Sequence, residues 1–167
     1  MEALSVVEPV DALVLVQDAA ECAAALRMLD SWNCTSGVIL GCRAIPGAEI
    51  GYDGGDQRVR RWEDFGVQNL QISYESVLQY PVVAGALKRF LDNAGVSEDS
   101  LLRSPCLQVS FIMQMNTTYI APLRMVAAAF HALRPKALYV NDHPTFTVRA
   151  VRALAQAYRI PVGAVVA

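Results

Sequence analysis

The amino-acid sequence predicts an α/β fold, a Rossmann-like three-layer domain whose mostly parallel sheet is flanked by helices. Three observations carry that reading. Short, unbroken apolar runs recur where strands buried on both faces would lie, beginning with ALVLV at Ala12–Val16 and GVIL at Gly37–Leu40. Segments with helical apolar spacing separate such runs. Hydrophobic residues make up 54% of the chain and charged residues 18%, a balance suited to a sheet covered on both faces. The length of 167 residues fits a single domain with a sizeable core.

Each element has a local cause. Gln17 and Asp18 end the first run. Asp18 followed by Glu21 is a helix-start signature, because each carboxylate accepts a hydrogen bond from an otherwise orphan N–H. Cys22, Ala25, Leu26 and Leu29 then share one stripe, which runs out near Trp32 and Asn33. With the second apolar run, this makes a βαβ unit with a right-handed crossover. Residues 41–66 break every period with Gly41, Pro46, Gly47, Gly51, Gly54 and Gly55, and are expected to form a long adaptable surface loop. GYDGGD within it, Gly51–Asp56, does not read as a phosphate loop, because no helix start and no Lys follow.

Further along, Leu70, Ile72 and Tyr74 alternate with polar residues, so Asn69–Tyr74 reads as a strand. Pro81 suits the first position of a helix whose stripe, Val83, Leu87, Phe90 and Leu91, ends near Gly95. Cys106–Met113 is rich in β-branched and aromatic residues and reads as another strand. A helix over Tyr119–Leu133 is expected to bury Leu123, Val126, Phe130 and Leu133. Pro135 closes it, and Ala137–Val140 forms a strand. Pro144 and Thr145 open the last helix, with Val148, Val151, Leu154 or Ala155, and Tyr158 inward. Pro161 ends that helix, and Val162–Val166 completes the sheet.

Composition narrows the function. The net charge of −2 leaves no nucleic-acid footprint. Arg58, Arg60 and Arg61 stand beside Glu63 and Asp64, as in a solvated surface run rather than an anion clamp. No apolar stretch is long enough for a membrane helix, and Glu2, Glu8 and Asp11 are unlike a secretory signal, so a cytoplasmic location is expected. Cys22, Cys34, Cys42 and Cys106 lack CxxC or CxxH spacing and read as free thiols; neither a metal nor a cofactor is expected. The low surface charge leaves room for a partner domain or a second copy against one face.

In open parallel sheets, ligands sit outside the carboxyl ends of the strands. Two clusters meet that rule: Gln17 and Asp18 after the first strand, and Asn141, Asp142, His143 and Thr145 before the last helix. A helix N-terminus there favours an anionic or hydroxyl-rich ligand. His143 or Asp142 has the chemistry of a general base, with Asp18 the next candidate; Gln17, Asn141 and Thr145 would orient substrate. Each has a structural alternative, Asp18 as a helix cap and Asn141 and Asp142 as turn formers. His131, between Phe130 and Leu133, reads as structural or surface. VQDAAE stands where a GxGxxG would follow the first strand, which excludes a dinucleotide fingerprint.

The final segment, RPKALYVNDHPTFTVRAVRALAQAYRIPVGAVVA at Arg134–Ala167, resembles the strand–loop–helix–strand of UDP-N-acetylglucosamine 2-epimerases and related GT-B glycosyltransferases. The shared points are Pro135, the apolar strand with an acidic residue at its end, Thr145 and the run Ile160-Pro161-Val162-Gly163. Asn141-Asp142-His143 stands where that family has His-Gly-Asp, and the first strand lacks the epimerase GTRPE motif, so epimerase activity is not implied. The resemblance implies the N-terminal, acceptor-binding half of a two-domain glycosyltransferase. Its partners would be a sugar or glycan acceptor and a nucleotide-sugar held by a further C-terminal domain. VNDHPTFTVRAVRALAQAYRIPV is also similar to a segment of periplasmic sugar-binding proteins and lac-repressor-type regulators, which implies a non-catalytic ligand-binding or interaction module instead.

Overall fold

The structure, a computed structural model, describes residues 8–44, 49–52, 54–65 and 73–166. In chain order it comprises β1 (Leu13–Val16), α1 (Ala19–Ser31), β2 (Val38–Gly41), a 3-10 turn (Trp62–Phe65), α2 (Tyr74–Leu78), α3 (Pro81–Ala94), α4 (Glu98–Arg103) and α5 (Pro105–Met115). A π turn (Asn116–Ile120), α6 (Ala121–Leu133), β3 (Leu138–Val140), α7 (Phe146–Ala157) and β4 (Val162–Gly163) follow. Backbone contacts divide the chain into two compact units, residues 1–67 with 123–167, and residues 68–122.

The first unit holds the sheet. Its four strands are all parallel, in the order β2-β1-β3-β4, with Leu13 opposite both Val38 and Leu138. Alternation along β1 divides the core in two. Leu13 and Leu15, with Val38 and Leu40, pack with Val126, Ala129 and Phe130 of α6 and Val148 and Val151 of α7. Val14, Val16 and Ile39 pack with Cys22, Ala25 and Leu29 of α1. Leu13 and Leu15 are wholly buried, and each such side chain contributes about 1.5–3 kcal/mol. The result is the expected three layers, with β1 apolar on both faces because helices cover both. The β1–β2 and β3–β4 crossovers run outward in opposite directions and carry α1 and α7 on opposite faces. They therefore share one hand, as the right-handed rule requires of both.

Two stretches of this unit differ from expectation. Within the stretch expected as a loop over 41–66, the part around Val59 is anchored: Ile39 N–H donates to Arg58 O at 2.7 Å and Arg60 N–H donates to Ile39 O at 2.9 Å, an isolated parallel bridge beside β2. Trp62 is buried and donates its indole N–H to Gly41 O at 2.9 Å. An aromatic anchor and a two-bond bridge hold this segment without the sustained alternation that reveals a strand in sequence. At the other side of the sheet, the strand expected over Val162–Val166 pairs only at Val162 and Gly163. Tyr158, expected inward, is 68% exposed, because α7 ends at Ala157 and its cap leaves the stripe.

The second unit is helical within the described residues. Phe111 is its centre, with the rings of Tyr74 and Phe90 at 5.8 and 5.1 Å and Val83, Leu101 and Met115 buried around it. Pro81 opens α3 as expected, and Gly95 ends it at φ +67, a left-handed cap that lets Val96 N–H reach Leu91 O at 3.2 Å. The strand expected over Cys106–Met113 is instead α5. Ser104 caps it by accepting from Leu107 N–H at 3.3 Å, and Pro105 occupies its first position. Tertiary burial of Phe111 and Met115, one helical turn apart, outweighs the β propensity of Val109, Phe111 and Ile112. Most of the strand expected over Asn69–Tyr74 lies outside the described residues; at its end Ser73 caps α2 and Tyr74 begins it.

Candidate functional site

The β1–β2 and β3–β4 crossovers lead away in opposite directions from the gap between β1 and β3, so the crevice between the carboxyl ends of these two strands is the topological switch point of the sheet. Gln17 and Asp18 leave β1 there, and Asn141 to Thr145 leave β3. These two loops are joined by a residue the sequence reading treated only as part of a helix cap. Glu21, in the first turn of α1, accepts from the Gln17 N–H at 2.7 Å and from Asn141 Nδ2 at 2.9 Å. His143 Nε2 lies 3.3 Å from each of its carboxylate oxygens. The imidazole is 13% exposed and the carboxylate 22%, so both are shielded yet open to a ligand.

Burial acts to raise the pKa of Glu21, but the hydrogen bonds from Asn141, the Gln17 amide and His143 outweigh it and hold the carboxyl below its ordinary range. The carboxylate is thus charged near neutrality. With Nε2 of His143 turned to that charge as a donor, Nδ1 is the ring nitrogen left to accept a proton. Asn141 is fixed from both ends, since its Oδ1 accepts the Val165 N–H at 3.0 Å beyond the short pairing of β4.

The loop after β3 is also tied to the loop after β2. Thr145 caps α7 by accepting from Val148 N–H at 3.3 Å and donates its hydroxyl to Cys42 O at 3.0 Å. Thr147, 3% exposed, accepts the Ala44 N–H at 3.1 Å. Burial, with the nearby Glu21 charge second, pushes the Cys42 thiol up to about 12, so it stays protonated and is no nucleophile.

The structure therefore brings together Asn141 and His143, places Thr145 as a cap and loop tie, and uses Gln17 through its backbone N–H. Asp18 caps α1 by accepting from Glu21 N–H at 2.9 Å. Asp142 is exposed beside His143 and takes no part in the network around Glu21. Glu21 was missed because its partners are 120 and 122 residues away; the usable signal was an acid one helical turn inside a strand-end loop. The basic cluster is committed elsewhere, Arg58 to Asp30 and Asp56, Arg60 to Asp64 and Arg61 to Glu49. Cys22 and Cys42 are buried free thiols, Cys34 is partly buried and Cys106 is exposed.

Among the described residues, no three His, Cys, Asp or Glu side chains converge as a metal site requires. Among them, too, no helix is long and apolar enough to cross a membrane. Comparison with protein-family models, with curated proteins and with solved structures returned no match for this chain.

Proposed function

We propose that this chain is the acceptor-side half of a GT-B-type glycosyltransferase in which His143 is the general base. The observation that carries the reading is the Glu21 carboxylate joined to both Asn141 and His143 at the switch point of the sheet. An acceptor hydroxyl entering this crevice gives its proton to His143 Nδ1 as its oxygen attacks the anomeric carbon of the donor sugar. The bond from that carbon to the nucleoside diphosphate breaks, and the leaving group takes its electron pair. Glu21 holds the ring in the required tautomer and stabilises the imidazolium. Asn141 and the Gln17 amide keep the carboxylate oriented. Asp142, exposed alongside, is the second candidate base. The resemblance at Arg134–Ala167 supplies the donor class, a nucleotide-sugar held by a further domain.

The test is sugar transfer from a panel of nucleotide-sugars by the full-length protein. His143→Gln and Glu21→Gln should each lower kcat by about 10²–10⁴-fold, with acceptor KM changed far less. Turnover within a few-fold of normal in His143→Gln would sink the assignment to His143. The same crevice suits a non-catalytic sugar-binding module, and the exposed Leu102, Val109 and Met113 of the helical unit suit an interaction module. Saturable glycan binding with no consumption of any nucleotide-sugar would favour the first of these.

A further inference from the structure

The amino edge of the same sheet carries a second feature, on which the proposed activity makes no demand. A groove of about 410 Å³ lies where α6 runs into β3 and α7 runs into β4, a volume in the range of small-molecule pockets. Its apolar wall is Phe130, Leu154, Ile160 and the ring of Tyr158, and its polar side is His131 and Arg134. Among the described residues, no acidic side chain lines it. Neither the His131 nor the Arg134 side chain has an ion-pair partner among the described residues.

The backbone adds an independent observation. Arg134 follows the last residue of α6 at φ +44, and Arg159, next to Tyr158 and Ile160, stands at φ +56. Left-handed backbone costs a non-glycine residue about 1–2 kcal/mol, and helices commonly end on glycine at this position. Arginine at 134 keeps a positive charge on the groove where glycine would relieve the backbone. Cations next to helix C-termini are favourable in themselves, but that accounts for charge anywhere in the last turn and not for the left-handed positions.

We propose that this groove binds a small amphipathic carboxylate, its hydrocarbon body against Phe130, Leu154 and Ile160 and its carboxylate on the Arg134 guanidinium beside His131. The wall has the apolar character of a pocket that orients its ligand with few polar groups, and Arg presents a fork that matches a carboxylate in a bidentate pair. The site is at the opposite end of the strands from Glu21, and the inference is independent of the glycosyltransferase reading.

Octanoate and the neutral 1-octanol are the probes, titrated into the full chain at millimolar concentrations and followed by amide NMR. Octanoate should shift signals from residues 127–135 and 154–160 saturably, with 1-octanol at least about tenfold weaker, the size expected of a charge-assisted bond. Arg134→Gly should weaken octanoate about tenfold without lowering the melting temperature, because glycine accepts the left-handed backbone. Arg134→Asn, also tolerant of that conformation, should do the same and guards against a folding defect in the first variant. Equal affinity for the acid and the alcohol, octanoate binding unchanged in both variants, or no saturable shift would each overturn the proposal.

Discussion

The carboxyl edge of the parallel sheet and the two turns at its amino-edge groove are built by different means. At the carboxyl edge, side chains do the joining. Asn141 and His143 meet Glu21 of α1, Thr145 and Thr147 hold the loop after β2, and the partners lie 103 to 122 residues apart. At the amino edge Asp11 bonds both Ser36 and Lys136 through side chains, but the two turns at the groove close on themselves. Arg134 N–H donates to Phe130 O at 2.9 Å and Ile160 N–H to Ala155 O at 2.7 Å, backbone bonds within a single helix end. Turns closed by local backbone bonds leave their side chains unspent, which is why His131 and Arg134 can face a groove. An edge closed by side chains commits them to fixed orientations, and fixed orientation is what a proton-transferring pair requires.

The sharpest way to break this contrast is to remove one long-range tie. Thr147→Val keeps the shape of the side chain but strands the buried Ala44 N–H, so urea unfolding should show a loss of about 1–3 kcal/mol. Amide exchange should speed up at the carboxyl edge, around Cys42 and Ala44, before it does at Arg134 and Ile160. Thr145→Ala removes a cap and a tie together and should cost about 0.5–2 kcal/mol, with Thr145→Ser recovering most of it. A loss of stability in Thr145→Ser as large as in the alanine variant would mean that packing of the methyl, not the hydroxyl, holds the loop.

The smallest effect is in pH dependence. The Glu21 carboxyl is held below its ordinary value when folded. Its contribution to stability is therefore complete above the unfolded pKa of about 4.3 and fades as pH falls through the folded value below it. Glu21→Gln should be less stable than the parent at neutral pH, and the gap should narrow on acidification below the ordinary carboxylate range. A gap constant from neutral pH down to that range would show that the charge of Glu21 is not what the Asn141 and His143 contacts use.

The layered architecture was legible because β1 and β2 read as unbroken apolar runs and α1 carries both a cap and a stripe. Asp18, Glu21, Cys22 and Leu29 do in the structure what their spacing implies. The carboxyl-edge rule likewise points to Asn141 and His143, which the structure places together at Glu21. Illegible were the features that depend on distance in the chain. Nothing local to Glu21 distinguishes a capping acid from one that a distant imidazole will meet. Val59 joins β2 by a single bridge, too little to leave a pattern. Cys106–Met113 is illegible for another reason: its β propensity masks the helix start that Ser104 and Pro105 provide directly upstream.

The order of the strands has a consequence for how the chain is made. β1 sits between β2, its near neighbour in sequence, and β3, which follows only after the whole helical segment. During synthesis, β1, α1 and β2 are complete on the order of ten seconds before β3 leaves the ribosome. Through that interval β1 has an unpaired edge and apolar side chains on one uncovered face, the arrangement most prone to pair with another nascent chain. Arrival of β3 ends the hazard, and by the same motion it carries Asn141 and His143 to Glu21. The pairing of β1 and the meeting of the crevice residues thus come in one step, and β3 keeps an open edge until β4 pairs with it.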